Sequence, residues 1–303
     1  MTRPTSYSRR RFIRSAAWSA GVLALAPLAC ARSDRSSAAG QDAPGPARPG
    51  AGSLGHTAIQ LYTLRDLMPE DPAGVLRQLT GFGYTHIESY AGPSGICWGM
   101  PPSEFRALLD ELGLQPLSTH ANLQEDPQRV IGEAAEAGFQ TVIVPWIGPQ
   151  ETLDAYRDWA DRFNQLGRMA MENGIRFAYH NHDYTFRELQ GVLPHTLLME
   201  GTDPALVDME MDVYWVVAAG QDPVEWIERH PGRFTHYHIK DLQERPDGGI
   251  ESCTLGTGTL DFAPVVDSAR ANGGRWFIVE QEAYTGTDPL AASRDNAAFM
   301  ASL

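Results

Sequence analysis

From residue 55 to residue 303 the sequence predicts an α/β fold, a (β/α)8 TIM barrel, on three observations. A short β-rich run recurs eight times, each followed by a polar or Gly-containing loop and a longer amphipathic stretch. The centres of these runs lie roughly 25 to 42 residues apart, a spacing that suits strand–helix units and leaves no room for hairpins. The segment holds about 249 residues, the usual size of an eight-unit barrel.

The eight runs are 57–62, 85–90, 116–120, 141–146, 176–182, 207–213, 234–240 and 276–282. Between them, 72–81 sets Val75, Leu76 and Leu79 on one helical face and stops at Gly81-Phe82-Gly83. The stretch 104–112 behaves alike and stops at Gly113. The longest helix, 154–174, carries Tyr156, Trp159, Phe163, Leu166 and Met169 at three- and four-residue steps. The competing architecture is a doubly wound open sheet, but no GxGxxG follows the first run and there is no phosphate-binding P-loop.

Alternation along the runs sorts the side chains by face. Phe177 and Tyr179 oppose Ala178, His180 and His182, while Met209 and Met211 oppose Asp208, Glu210 and Asp212. Tyr237 and Ile239 oppose His236, His238 and Lys240; Phe277 and Val279 oppose Ile278, Glu280 and Glu282. Glu88 and His120 stand near the ends of the second and third runs. The apolar set must meet the helices, which turns the ionisable set toward the barrel axis. Charges there are costly unless they pair, bind a metal or bind substrate.

Net charge restricts the partners. The first 54 residues hold eight Arg against two Asp, which leaves 16 basic and 36 acidic side chains, a net −20, in the remainder. Such a surface disfavours nucleic acid and anionic lipid and admits a small neutral or cationic substrate more readily than a polyanion. Of 24 basic residues 23 are Arg and one is Lys240, which marks a place for a compact ammonium rather than a planar fork.

The N-terminus reads as an address. Ser8-Arg9-Arg10-Arg11-Phe12-Ile13-Arg14 resembles a twin-arginine export signal, and an apolar run over 16–29, too short for a membrane span, follows it. Pro27-Leu28-Ala29-Cys30 resembles a lipobox with Pro27 where Leu is usual, so cleavage without lipidation stays open. Residues 1–30 are therefore expected to be a signal peptide and 31–54, rich in Ser, Ala, Gly and Pro, a tether. The expected location is the periplasm or outer surface of a bacterium, with membrane contact only through a lipid on Cys30. Cys97 and Cys253 remain, either paired or as two buried thiols; the sequence sets no oligomeric state.

Several motifs together resemble the sugar phosphate isomerase/epimerase family, with its xylose-isomerase-like TIM barrel. They are Ile59-Gln60-Leu61-Tyr62-Thr63-Leu64-Arg65-Asp66, Tyr179-His180-Asn181-His182, Met211-Asp212-Val213-Tyr214-Trp215, His236-Tyr237-His238-Ile239-Lys240-Asp241, Leu255-Gly256-Thr257-Gly258-Thr259-Leu260-Asp261-Phe262 and Val279-Glu280-Gln281-Glu282. The resemblance implies a divalent ion, manganese foremost, with zinc, iron or magnesium as alternatives. Asp212, His238 and Glu280 match its ligands, and His180 stands where the family commonly has Glu. That departure removes one of the two facing carboxylates that a two-base epimerisation uses.

A C–H beside a carbonyl or hydroxyl is too weakly acidic to ionise at neutral pH without a base and a stabiliser for the enediolate. Glu280 or Glu282 is expected to be the base. Glu88, His120 and His182 are expected to orient hydroxyls or act as acid, and Lys240 to neutralise an oxyanion. Tyr90, Trp98, Trp146 and Trp215 lie near strand ends, where an aromatic face stacks on a sugar or packs in the core. The first expectation is an isomerase or epimerase of a non-phosphorylated sugar or keto-sugar. The second is a lyase or hydratase acting on a 3-keto-glycoside by β-elimination. The third, from another class, is a sugar-binding lipoprotein without catalysis.

Overall fold

The computed structural model describes residues 54–303. The signal peptide and tether expected over 1–30 and 31–54 lie outside the described residues, apart from Leu54. The chain runs β1 (Ala58–Gln60), α1 (Pro72–Gly81), β2 (His86–Tyr90), α2 (Pro102–Leu112), β3 (Gln115–His120), α3 (Pro127–Glu136) and β4 (Thr141–Val144). It continues through α4 (Leu153–Glu172), β5 (Arg176–His180), α5 (Pro194–Gly201), β6 (Val207–Asp212), α6 (Val213–Ala218), α7 (Pro223–Arg229) and β7 (Phe234–Ile239). Last come β8 (Asp241–Glu244), β9 (Ile250–Cys253), α8 (Ala263–Ala271), β10 (Trp276–Val279) and α9 (Pro289–Met300).

Eight parallel strands close into a barrel in the order β1-β10-β7-β6-β5-β4-β3-β2. All eight predicted runs are present, but several stop early for local reasons. After β1, the Gln60 side chain accepts from the Tyr62 amide at 3.0 Å and turns the chain into a 3-10 helix, Leu61–Leu64. At the end of β6, Asp212 Oδ1 accepts from the Trp215 amide at 3.2 Å and caps α6. Proline within the first two positions of α1, α2, α3, α5, α7, α8 and α9 suits helix starts, where an amide hydrogen has no partner to lose. Close packing also shapes the helix layer: a Cβ on Gly167 of α4 would lie 2.5 Å from the Leu206 carbonyl oxygen, so α4 reaches the chain before β6 only with glycine there.

One expectation fails. The antiparallel hairpin β8–β9 occupies the gap between β7 and β10, where the spacing argument left none. It is held by Asp241, whose buried carboxylate accepts from the amides of Leu242, Gly256, Gly258 and Leu260. A Cβ on Gly258 would stand 2.3 Å from Asp241 Oδ1, so the loop closes on the carboxylate only with glycine at that position.

The apolar parity packs outward against the helices, with Phe177, Tyr179, Tyr237 and Phe277 all buried. Inside the barrel a small apolar layer, Ala58, Leu117 and Ile278, forms a separate cluster. Cys97 and Cys253 are both buried free thiols. No helix of the described residues is long and apolar enough to cross a membrane.

His195 of α5 is a core histidine. It stacks on Phe186 at 4.2 Å, Trp226 meets it edge-on at 5.4 Å, and its Nε2 has no hydrogen-bond partner. Burial pushes its pKa down to about 3, so the fold requires the neutral ring. The unfolded chain takes up this proton from about pH 6.5 downward, and stability is lost from there until the folded pKa is reached. At pH 4.5 the effect of this group is on the order of 3 kcal/mol. His195→Phe is expected to shrink the loss of urea midpoint between pH 7.5 and pH 4.5.

Candidate active site

Inward-facing side chains on or just after seven strands meet in two layers. In the upper layer His238 Nδ1 lies 3.0 Å from Glu280 Oε2 and 3.9 Å from Asp212 Oδ2, and His180 Nε2 lies 3.9 Å from that same Asp212 oxygen. Lys240 Nζ pairs with Asp212 Oδ2 at 2.9 Å, with Glu280 Oε2 at 2.7 Å, and with Glu282. The rings of Tyr214 and Trp215 each stand 5.4 Å from the ammonium. Asn181 clamps the backbone of Asp212, accepting from its amide at 3.1 Å.

The lower layer holds the upper one in place. His238 Nε2 meets Glu88 Oε1 at 2.7 Å, and His180 Nδ1 meets Glu210 Oε2 at 3.0 Å. His120 Nε2 is shared between Glu210 Oε2 at 2.7 Å and Glu88 Oε1 at 3.1 Å. Gln60 and Ser118 donate to the remaining sites on Glu88 at 2.8 and 2.5 Å. Strand register shifts between Ile87 and Glu88 and between Met209 and Glu210, the two places where these carboxylates enter the barrel. Such irregularities re-aim a side chain and are over-represented beside active sites.

Electrostatics follow from burial and pairing. Burial opposes the charge of Lys240, but Asp212 and Glu280 outweigh it and hold the ammonium well above its ordinary pKa. Burial likewise opposes ionised Glu280, yet Lys240 and His238 keep it well below the usual carboxylate range. Burial and the neighbouring His238 push His180 well down, so it is a neutral imidazole. His182 falls to about 3 through burial and Lys240. Burial and Glu88 push Glu210 up to about 7, and in His120 the carboxylates Glu88 and Glu210 overcome burial and raise it to about 9.

The residues fit a divalent cation. The donor atoms of Asp212, His238 and Glu280 all lie within 4.8 Å of one another. Asp212 Oδ2 is buried and faces Lys240 Nζ at 2.9 Å and one ring nitrogen each of His180 and His238 at 3.9 Å. Both histidines set one ring nitrogen on a buried carboxylate and turn the other toward Asp212, the arrangement that orients imidazole ligands in metal sites. Together, His180, Asp212, His238 and Glu280 offer the mixed nitrogen and oxygen set that suits Mn²⁺, Zn²⁺ or Fe²⁺.

The structure brings the expected residues into one network and sets two of them in its lower layer. Glu88 is fully buried and its oxygens are taken up by Gln60, Ser118, His120 and His238, so it positions His238 instead of orienting a hydroxyl. His120 sits under the same layer, its Nε2 already shared by two carboxylates. Glu210, absent from the expected site, orients His180; its parity with Asp212 was the available signal. Trp98 is buried against Tyr90 and donates to Ser89, a packing role. Trp146 is 53% exposed and Glu282 half-exposed, both at the C-terminal end of the barrel.

Glu88→Gln is expected to lower metal affinity by about 10- to 100-fold, the usual effect of removing a carboxylate behind an imidazole ligand. Competition with a chelator measures it; unchanged affinity would mean that His238 is oriented by other contacts.

A parallel eight-stranded barrel with ionisable groups gathered at the C-terminal ends of its strands defines an enzyme scaffold. The chain belongs to the xylose isomerase-like TIM barrel family, which matches residues 76–303. It is 31% identical over 160 residues to an inosose dehydratase of Clostridium tetani, covering 48% of this chain and 52% of that protein. It is also 31% identical over 148 residues to an inosose dehydratase of Geobacillus thermodenitrificans, covering 44% and 48%. The chain thus spans about half the length of the curated relatives it matches. Among solved structures it resembles a sugar phosphate isomerase/epimerase from Parabacteroides distasonis, with TM-score 0.71 and 25% identity, covering 86% of this chain and 98% of that one.

Proposed function

We propose that this chain removes a proton from the carbon beside a carbonyl of an unphosphorylated keto-sugar or keto-polyol and that the enediolate then expels a β-oxygen substituent. The observation that carries the reading is the Glu282–Lys240 pair, which stands at the barrel mouth against the Asp212, His238 and Glu280 cluster. Glu280 is buried and engaged by His238 and Lys240, which suits a ligand. Glu282, half-exposed, is the carboxylate that substrate reaches.

A divalent ion, manganese foremost, supplies Lewis acidity toward the substrate carbonyl when bound to His180, Asp212, His238 and Glu280. The chain's own residues do the rest. Glu282 takes the α-proton as the C–H bond breaks, and Lys240 donates a hydrogen bond to the developing oxyanion. Glu282 returns the same proton to the β-oxygen as the C–O bond breaks, which leaves an unsaturated ketone and an alcohol or water. One base suffices for this sequence. Two-base epimerisation would need a carboxylate opposite, and His180 stands there with Nδ1 committed to Glu210. The inosose dehydratases among the relatives support elimination.

Isomerisation is the second reading, supported by the Parabacteroides distasonis likeness: the same Glu282 would return its proton to the neighbouring carbon. The lack of phosphate follows from the acidic surface, and the export signal read in residues 1–30 would place the enzyme where free glycosides and sugars are met. Incubation of the metal-loaded protein with free ketoses and with 3-keto-glycosides in D₂O, followed by NMR, tests both readings. Alcohol release with loss of the substrate's α-proton signal, the α-carbon passing into the C=C bond, means elimination; aldose–ketose interchange without alcohol release means isomerisation. Absence of α-proton loss and of interchange on every substrate, with metal bound, would leave a sugar-binding protein.

A further inference from the structure

Trp146 follows β4, and in the strand order β4 lies diametrically opposite β10, which leads into Glu280 and Glu282. Eight strands spaced at 4.8 Å and tilted by 36° put opposite strands about 15 Å apart, wider than a single pyranose. An aromatic wall bridges the gap. Trp146 meets His182 edge-on at 4.7 Å and Tyr184 at 4.8 Å, and His182 in turn lies 5.4 Å from Trp215 beside Lys240. The indole is fixed in place: Pro145 precedes it, Gly148 turns the chain at φ +74°, and the Tyr184 hydroxyl accepts from the Ile147 amide at 3.2 Å. Even so, Trp146 is the most exposed large aromatic side chain among the described residues. Along the same wall His182 Nδ1 and Trp215 Nε1 have no hydrogen-bond partner.

A rigid, open indole face across the mouth from the base is built to stack a flat ring. We propose that Trp146 forms a leaving-group subsite, so that the substrate is a glycoside: its ketonic ring sits over Glu282 and Lys240, and the sugar or aryl ring it releases stacks on Trp146. This rests on the elimination reading above, because the departing oxygen is then the glycosidic one and the stacked ring leaves with it as an alcohol. The acidity of the domain, net −20 beyond residue 54, disfavours an anionic ring there.

The test compares metal-loaded full-length protein with Trp146→Ala and Trp146→Phe on three 3-keto-glucosides: p-nitrophenyl, glucosyl and methyl. Loss of the stack is expected to raise KM about tenfold for the first two in Trp146→Ala, with kcat and the methyl glucoside unchanged and Trp146→Phe near wild type. An aryl effect without a glucosyl effect, or the reverse, identifies the ring that the subsite takes. Equal losses on all three compounds would place Trp146 against the reacting ring and overturn the proposal, as would no loss on any. Calorimetry with the unoxidised p-nitrophenyl and methyl glucosides reads the subsite without turnover. If wild type removes no α-proton yet binds the aryl glucoside tighter in a Trp146-dependent way, the reaction reading falls and the subsite stands; if it turns over without that preference, the subsite falls alone.

Discussion

Asp212→Asn is expected to strip the cluster of its metal and to lower kcat/KM by about a thousand-fold or more, several kcal/mol of transition-state stabilisation at 1.4 kcal/mol per decade. The substitution is nearly isosteric, and the amide oxygen continues to cap α6 in the place of Oδ1, which accepts from the Trp215 amide. What disappears is the anionic Oδ2, the atom on which His180, His238 and Lys240 converge. Stability should fall as well. With the amide oxygen kept as the cap, the amide nitrogen takes the place of Oδ2 and faces Lys240 Nζ, 2.9 Å away, donor against donor, and the buried ammonium loses one of its carboxylates. In metal-free buffer the variant should melt below the wild-type temperature, and the rise in Tm that added metal gives wild type should vanish. Metal content after dialysis and paired melting curves check both halves. An Asp212→Asn protein that keeps its ion would show that the cation sits elsewhere in the barrel.

How much of this was legible before the structure depends on what alternation encodes. Period two tells which face a side chain takes, and it assigned His180, Asp212, His238, Lys240 and Glu280 to the axis, where they meet. It does not tell height along the axis. Glu88 and His120 face inward as expected but lie below the donors, and Glu210 stands one layer under Asp212 on the same strand. That height is set partly by the register shifts at Glu88 and Glu210, which no residue pattern announces. Strand ends were read too long where a side chain takes over the backbone, as Gln60 and Asp212 do. The hairpin had a signal that the spacing argument overrode. Arg245-Pro246-Asp247-Gly248 is turn chemistry, and it sits in the widest gap between barrel strands. The sole lysine was a fair pointer, because one ammonium reaches three carboxylates from a site where a guanidinium fork would need more room.

The hairpin matters because it fixes the residue assigned as base. Ser252 on β9 accepts from the amides of Glu282 and Ala283 at 2.8 and 2.9 Å, and Arg65 donates to the Glu282 carbonyl at 2.7 Å. The backbone of Glu282 is therefore held from both sides while its side chain leans on Lys240 over the mouth. Glu282→Gln keeps the size and leaves an oxygen for Lys240 but removes the proton acceptor. General-base loss of this kind is expected to lower kcat by about 10²- to 10⁴-fold, with metal content, KM and fold unchanged. Loss of the substrate's α-proton signal should slow in step with kcat, since both begin with the same C–H cleavage. Glu280→Gln must behave differently: it removes a ligand, so metal affinity falls together with activity, and excess metal restores part of the rate. If Glu282→Gln instead still removes the α-proton while Glu280→Gln does not with the ion still bound, the two carboxylates have each other's roles. The buried one then moves the proton, and Lys240, which touches both, holds the exposed one away from it.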